Sequence, residues 1–117
     1  MAMPRMTEQT ERIFRALLSS DLGEGLHGFE LGRQSGLPSG TVHPILARWE
    51  KAGILESYWE DLDADAAPQT RPRRRYYRFT PDGAEYARVT LAAADNIRRR
   101  AAGSGHFGGV VPIPDGM

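Results

Sequence analysis

The residues Ser39, Gly40 and Thr41, followed by His43, Arg48 and Lys51, are of the types that bind an anion, and Pro44 stands among them as a further candidate for the contact surface. Two hydroxyls, and a glycine that lets the backbone come close, would stand at the start of a helix. There, unpaired amides and the helix dipole favour negative charge. A second set lies further along, where five arginines fall between Arg71 and Arg78, with Arg71, Arg73, Arg74 and Arg75 bunched together. His27 is a further candidate, either as a helix cap or as a phosphate contact. This chemistry holds a polyanion; it does not make or break bonds. No nucleophile elbow, phosphate loop or paired carboxylate set is legible, so no enzyme is expected. His27, His43 and His106 lack the close spacing and carboxylate company of a metal site, and neither metal nor cofactor is expected.

The elements that must position these groups follow from periodicity and caps. Val42, Leu46 and Trp49 recur at i, i+4 and i+7, with Ile45 beside them, so they share one buried stripe of a helix. His43, Pro44, Ala47, Arg48 and Lys51 fall on its far side. Ser39 is the expected N-cap and Gly53 the stop. Upstream, Thr7 caps a helix from Glu8 to about Ser20, with Thr10, Ile13, Phe14, Leu17 and Leu18 on its apolar side. Asp21 to Gly25 form a turn. A short helix from about His27 to Ser35 is expected to bury Phe29 and Leu31, and Gly36 and Leu37 to end it in a left-handed cap. Two helices joined this closely, with the second one presented, suggest a helix-turn-helix.

Downstream, Ile54 to Trp59 is rich in β-branched and aromatic residues and reads as a strand. Asp61 to Arg73, with Pro68 and Pro72, is a loop. Arg74 to Phe79 is a second strand, which closes a hairpin with an extended tip. Trp49 and Trp59 are both expected in the core. Thr80 and Pro81 open a fourth helix running to about Ala102. Tyr86, Val89, Ala93 and Ile97 line one side of it, to be covered either by the first helix or by a second copy of the chain. From Gly103 the sequence is too rich in glycine and proline for regular structure. The expected organisation is therefore a flexible start over 1–6, a DNA-binding domain over 7–80, a dimerisation helix over 81–102 and a disordered tail over 103–117.

The totals set limits. The chain of 117 residues suits one domain, and its hydrophobic content of 40% allows a small core. Mean hydropathy is −0.48, and no apolar run approaches the ~18 residues that span a bilayer. MAMPRMTEQTER lacks the apolar segment of a signal peptide, and cysteine is absent, so a cytoplasmic location without membrane contact is the expectation. The net charge is zero, which is unusual for a nucleic-acid binder, but the arginine cluster makes a local field.

The order helix, helix, helix, strand, loop, strand, helix is that of a winged helix-turn-helix, an α+β fold that is mostly α. The residues resemble the PadR family of transcriptional regulators. The landmarks are His27-Gly28-Phe29, Ser39-Gly40-Thr41, Val42-His43-Pro44, Glu50 and Gly53, Trp59-Glu60, Tyr76-Tyr77-Arg78 and Thr80-Pro81-Asp82-Gly83. His43 stands where the family usually has tyrosine. The resemblance implies a DNA-binding repressor that reads a palindromic operator as a homodimer and is released by a small aromatic effector. It also implies a dimer through the first and last helices, formed by Ile13, Leu17, Tyr86, Val89, Ala93 and Ile97. The third helix would enter a major groove, with His43 at a base edge and Arg48 and Lys51 on phosphates. The wing arginines would lie along the minor groove. A second reading is a winged helix that holds proteins, or an architectural DNA-binding module without effector. The zero net charge and the acidic residues Glu60, Asp61, Asp63 and Asp65, able to pair with the arginines, favour it.

Overall fold

Thr7 begins the order of the chain: its hydroxyl accepts the Thr10 amide at 3.1 Å and caps helix α1, Glu8–Ser19. The computed structural model describes residues 3–61 and 72–109, with 103–109 by backbone alone. It divides into two compact units, Met1–Tyr86 and Ala87–Met117. In the first, α1 is followed by strand β1 (Leu26–His27), helices α2 (Gly28–Ser35) and α3 (Ser39–Lys51), and strands β2 (Leu55–Trp59) and β3 (Arg75–Phe79). Helix α4, Pro81–Gly109, starts in the first unit and continues through the second.

The α2–α3 corner is made by Gly36, at φ 73°, whose amide bonds the Gly32 carbonyl at 2.9 Å while the Leu37 amide bonds the same carbonyl at 3.1 Å. Ser39 is not the N-cap of α3. Pro38 holds that position, and its carbonyl accepts from both Thr41 and Val42, so the helix starts at Ser39 itself with no side-chain cap. Val42, Ile45, Leu46 and Trp49 are all buried, as the stripe predicts. Gly53, at φ 84°, then turns the chain, and the Ile54 amide closes onto the Trp49 carbonyl.

The sheet has three strands in the order β1-β3-β2, all antiparallel, where the sequence suggested two. Strand β1 is only two residues long, and Gly25 admits it. That glycine has φ 78°, and a Cβ there would lie 2.0 Å from the Tyr77 carbonyl oxygen. Tyr58 and Arg78 tie the preceding turn to the sheet, bonding the carbonyls of Glu24 and Gly23. Side chains alternate as the pleat requires. Leu55 faces Phe79 and Ser57 faces Tyr77 on one side; Glu56 faces Arg78 and Tyr58 faces Tyr76 on the other.

The core gathers around Phe14, whose ring meets Trp49 at 5.0 Å and Phe79 at 5.3 Å, both edge-on. Three expectations fail here. Ile13 and Leu17 are 0% and 1% exposed, so they belong to this core and have no surface left for a partner. Phe29 is 75% exposed while Leu31, two residues on, is fully buried. Positions two apart lie about 200° apart around a helix, and only one of them can face the core. Trp59 is 55% exposed, because the hairpin has left the core by the end of β2.

Thr80 accepts the Gly83 amide at 2.9 Å and caps α4 as expected. Gly83 is required by contact, since a Cβ on it would meet the Ile54 carbonyl oxygen at 1.9 Å. The helix continues to Gly109, past the end expected near Ala102, so residues 103–109 are helical and not an irregular tail. Residues 110–117 lie outside the described residues. Val89 and Ile97 are 59% and 66% exposed, and Ala93 between them is exposed as well. No helix among the described residues is long and apolar enough to cross a membrane.

Candidate nucleic-acid interface

With Pro38 as cap, the first turn of α3 keeps unused donors. The Thr41 and Val42 amides are taken by Pro38, while those of Ser39 and Gly40 open outward with no side chain over them. A 13-residue helix ends there, so the partial positive charge of its dipole is presented with the amides. Ser39 and Gly40 are exposed and Thr41 is half-buried. Along the same helix His43, Pro44, Ala47, Arg48 and Lys51 are exposed, the set assigned from periodicity to the presented side. Pro44 sits inside α3. It has no N–H to give to Gly40, so the Gly40 carbonyl is left to bond outward.

His27 caps α2: its Nδ1 accepts the Glu30 amide at 3.2 Å. Of the two readings of this histidine, the cap is the one its geometry fulfils. Gly28 has a use that the sequence did not reveal, for a Cβ on it would lie 2.8 Å from Cε1 of His43. The glycine makes room for the imidazole of the next helix. His27, Gly28, Phe29, His43, Arg74, Arg75 and Tyr77 together line a groove between the helix pair and β3.

The cations of α3 and the hairpin divide into two kinds. Arg48, Lys51, Arg73 and Arg74 are exposed and form no ion pair among the described residues. Arg75 is held. Its guanidinium donates to the Ser57 hydroxyl at 2.8 and 3.0 Å, and Ser57 donates to Glu50 of α3 at 2.6 Å. The guanidinium lies 3.6 Å from that carboxylate and 5.5 Å from the centre of the Trp59 ring. Glu50 and Ser57 thus fasten the hairpin to α3, a link that no local pattern announces. The wing tip, with Arg71, Asp63 and Asp65, lies outside the described residues. At the hairpin base the Glu60 amide donates to the Arg74 carbonyl at 2.8 Å, and the Arg74 amide donates to the Glu60 carboxylate at 3.3 Å. Among the described residues no group of His, Asp and Glu could hold a metal.

Three helices, the last one presented, and a hairpin fastened beside it define a winged helix-turn-helix of the kind found in transcription regulators. The sequence profile of the transcriptional regulator PadR-like family matches residues 18–89. The chain belongs to that family. Solved structures share the fold. A PadR family transcription regulator from Clostridium difficile superposes with a TM-score of 0.62 at 21% identity, covering 80% of this chain and 93% of that one. MepR, a transcription regulator of the Staphylococcus aureus multidrug efflux pump MepA, gives 0.62 at 16% identity, over 85% of this chain and 65% of that one. Bordetella bronchiseptica BpsR, whose DNA binding is regulated by 6-hydroxynicotinic acid, gives 0.63 at 17% identity, over 92% of this chain and 69% of that one. No curated protein sequence matches the chain.

Proposed function

We propose that the protein is a sequence-specific DNA-binding repressor that acts as a homodimer on a palindromic operator. The observation that carries this reading is the outer side of α3. Its open amides at Ser39 and Gly40 and the side chains of His43, Arg48 and Lys51 are presented together. A helix whose cationic and donor groups are left unused by its own chain is suited to an external polyanion. His43 would meet a base edge, Arg48 and Lys51 phosphates, and Arg73 and Arg74 the neighbouring groove. The second copy would cover Val89, Ala93 and Ile97, which recur every four residues on α4 and are exposed. Two-fold pairing would then set half-sites about one helical turn, roughly 34 Å, apart. Release by a small aromatic effector completes the reading; 6-hydroxynicotinic acid, which regulates BpsR, is the first compound to try.

The test is selection from a random duplex pool followed by mobility shift. A palindrome should emerge. Exchanging both Arg73 and Arg74 for alanine should weaken all duplexes alike and flatten the salt slope by about 0.9 log units per lost phosphate contact. His43→Ala should change base preference at one position of each half-site, where a good contact discriminates by roughly 1–3 kcal/mol. Binding that ignores all three substitutions would remove the groove reading.

A further inference from the structure

Phe29 is the most exposed large apolar side chain among those described, at 75%, and it stands within the surface just assigned to DNA. It lies on the first turn of α2 and forms a ridge between two grooves. One is lined with it by Gly28, Gly32, Arg33, Leu37 and Ser39, the first residue of α3. The other carries His43 and Arg74. Ser39, with its open amide, therefore stands on one side of the ridge and His43 with Arg74 on the other, groups that would grip phosphate, and the ridge itself carries none. Its ring is stacked 6.3 Å from that of His27, at 20° between planes, which restrains how it projects. The one carboxylate on that turn is neutralised within α2. Glu30 is bonded by Arg33 and by Gln34, the latter at 2.7 Å, and its pKa is lowered to about 2, first by the Arg33 hydrogen bond. No uncompensated negative charge on this turn repels a polyanion.

An apolar ridge between two phosphate-binding grooves matches the sugar-phosphate backbone, where the deoxyribose is the uncharged surface between successive phosphates. We propose that Phe29 packs on a deoxyribose of the strand that passes between α3 and Arg74, just ahead of β3. The contact rests on the DNA-binding reading. It adds affinity without reading sequence and without releasing counterions, since no charge is neutralised.

Those two properties make it testable with the full-length chain and the selected duplex. Phe29→Ala should weaken binding about tenfold, as for one partly covered aromatic face, with the salt slope unchanged. Arg74→Ala should weaken binding and flatten the slope. Exchanging thymine for uracil throughout the site should not reproduce the Phe29→Ala loss; if it does, the ring touches a thymine methyl and the sugar contact is wrong. A change in oligomeric state of Phe29→Ala by sedimentation would overturn the proposal in favour of a second copy as the occupant. Undiminished affinity of Phe29→Ala for a duplex that the parent protein binds would also overturn it. If the parent protein binds no duplex, it is the DNA reading that fails.

Discussion

Helices α2 and α3 meet at one tight corner, yet their side chains are arranged by different rules. Helix α3 has 13 residues and four apolar anchors on a single stripe, so its rotation about its own axis is over-determined. Every residue that periodicity assigned to its inner or outer side is found there. Helix α2 has eight residues and two large apolar side chains on opposite sides, Phe29 and Leu31. Periodicity cannot choose between them. The choice is made by the surroundings, where β1 pairs His27 with Tyr76 and the His27 ring caps the helix, turning Leu31 inward. A helix with one stripe carries its own orientation; a helix with two candidate sides takes it from its neighbours.

The largest test of this contrast is stability. Trp49→Ala removes the ring at the centre of the stripe and should cost about 3–5 kcal/mol in chemical denaturation. Trp49→Phe should cost less, partly because the buried indole N–H has no acceptor among the described residues. In α2 the two apolar residues should separate sharply. Leu31→Ala should cost about 2–5 kcal/mol, while Phe29→Ala should stay within about 0.5 kcal/mol, the range of surface substitutions. Equal losses at 29 and 31 would mean that Phe29 is covered in solution.

What could be read from the residues alone follows the same line. The caps by Thr7 and Thr80, the left-handed turns at Gly36 and Gly53, the α3 stripe and the two longer strands are local, and each shows within a few residues. Strand β1 has no such signal, since its two residues become a strand only by meeting Tyr76 and Tyr77. Arg75 reads as one cation in a run, until a hydroxyl 18 residues away claims it. Gly28 and Gly83 carry meaning in the family pattern, but their physical reasons, the His43 ring and the Ile54 carbonyl, lie in other elements. At the candidate site the cations of α3 were legible because exposure there is the complement of burial. Phe29 was not, because an exposed aromatic looks in sequence like a core residue.

A smaller effect is expected where α3 breaks its own rule. Proline in a helix interior costs about 3 kcal/mol relative to alanine, and Pro44 is exposed, without burial to offset that. Pro44→Ala should therefore raise the denaturation midpoint, by roughly 1–3 kcal/mol of stability. It should also lower operator affinity, because the Gly40 carbonyl regains its helical partner and the shape of the presented face changes. A variant that is more stable and binds as well would show that Pro44 has no part in the interface.

The smallest effect separates neighbouring arginines. Glu50 and Arg75 are both partly exposed, so their pairing should contribute no more than about 1 kcal/mol to stability. Its importance is in fixing which cations are free. If Arg75 stays with Ser57 and Glu50 when DNA binds, Arg75→Ala leaves the salt slope unchanged while Arg74→Ala flattens it by about 0.9. Glu50→Gln should then steepen the slope by up to the same amount, because the guanidinium loses its countercharge and gains a reason to seek phosphate. If Arg75→Ala flattens the slope as much as Arg74→Ala, the hairpin lets go of α3 on binding, and its attachment is a property of the free protein alone.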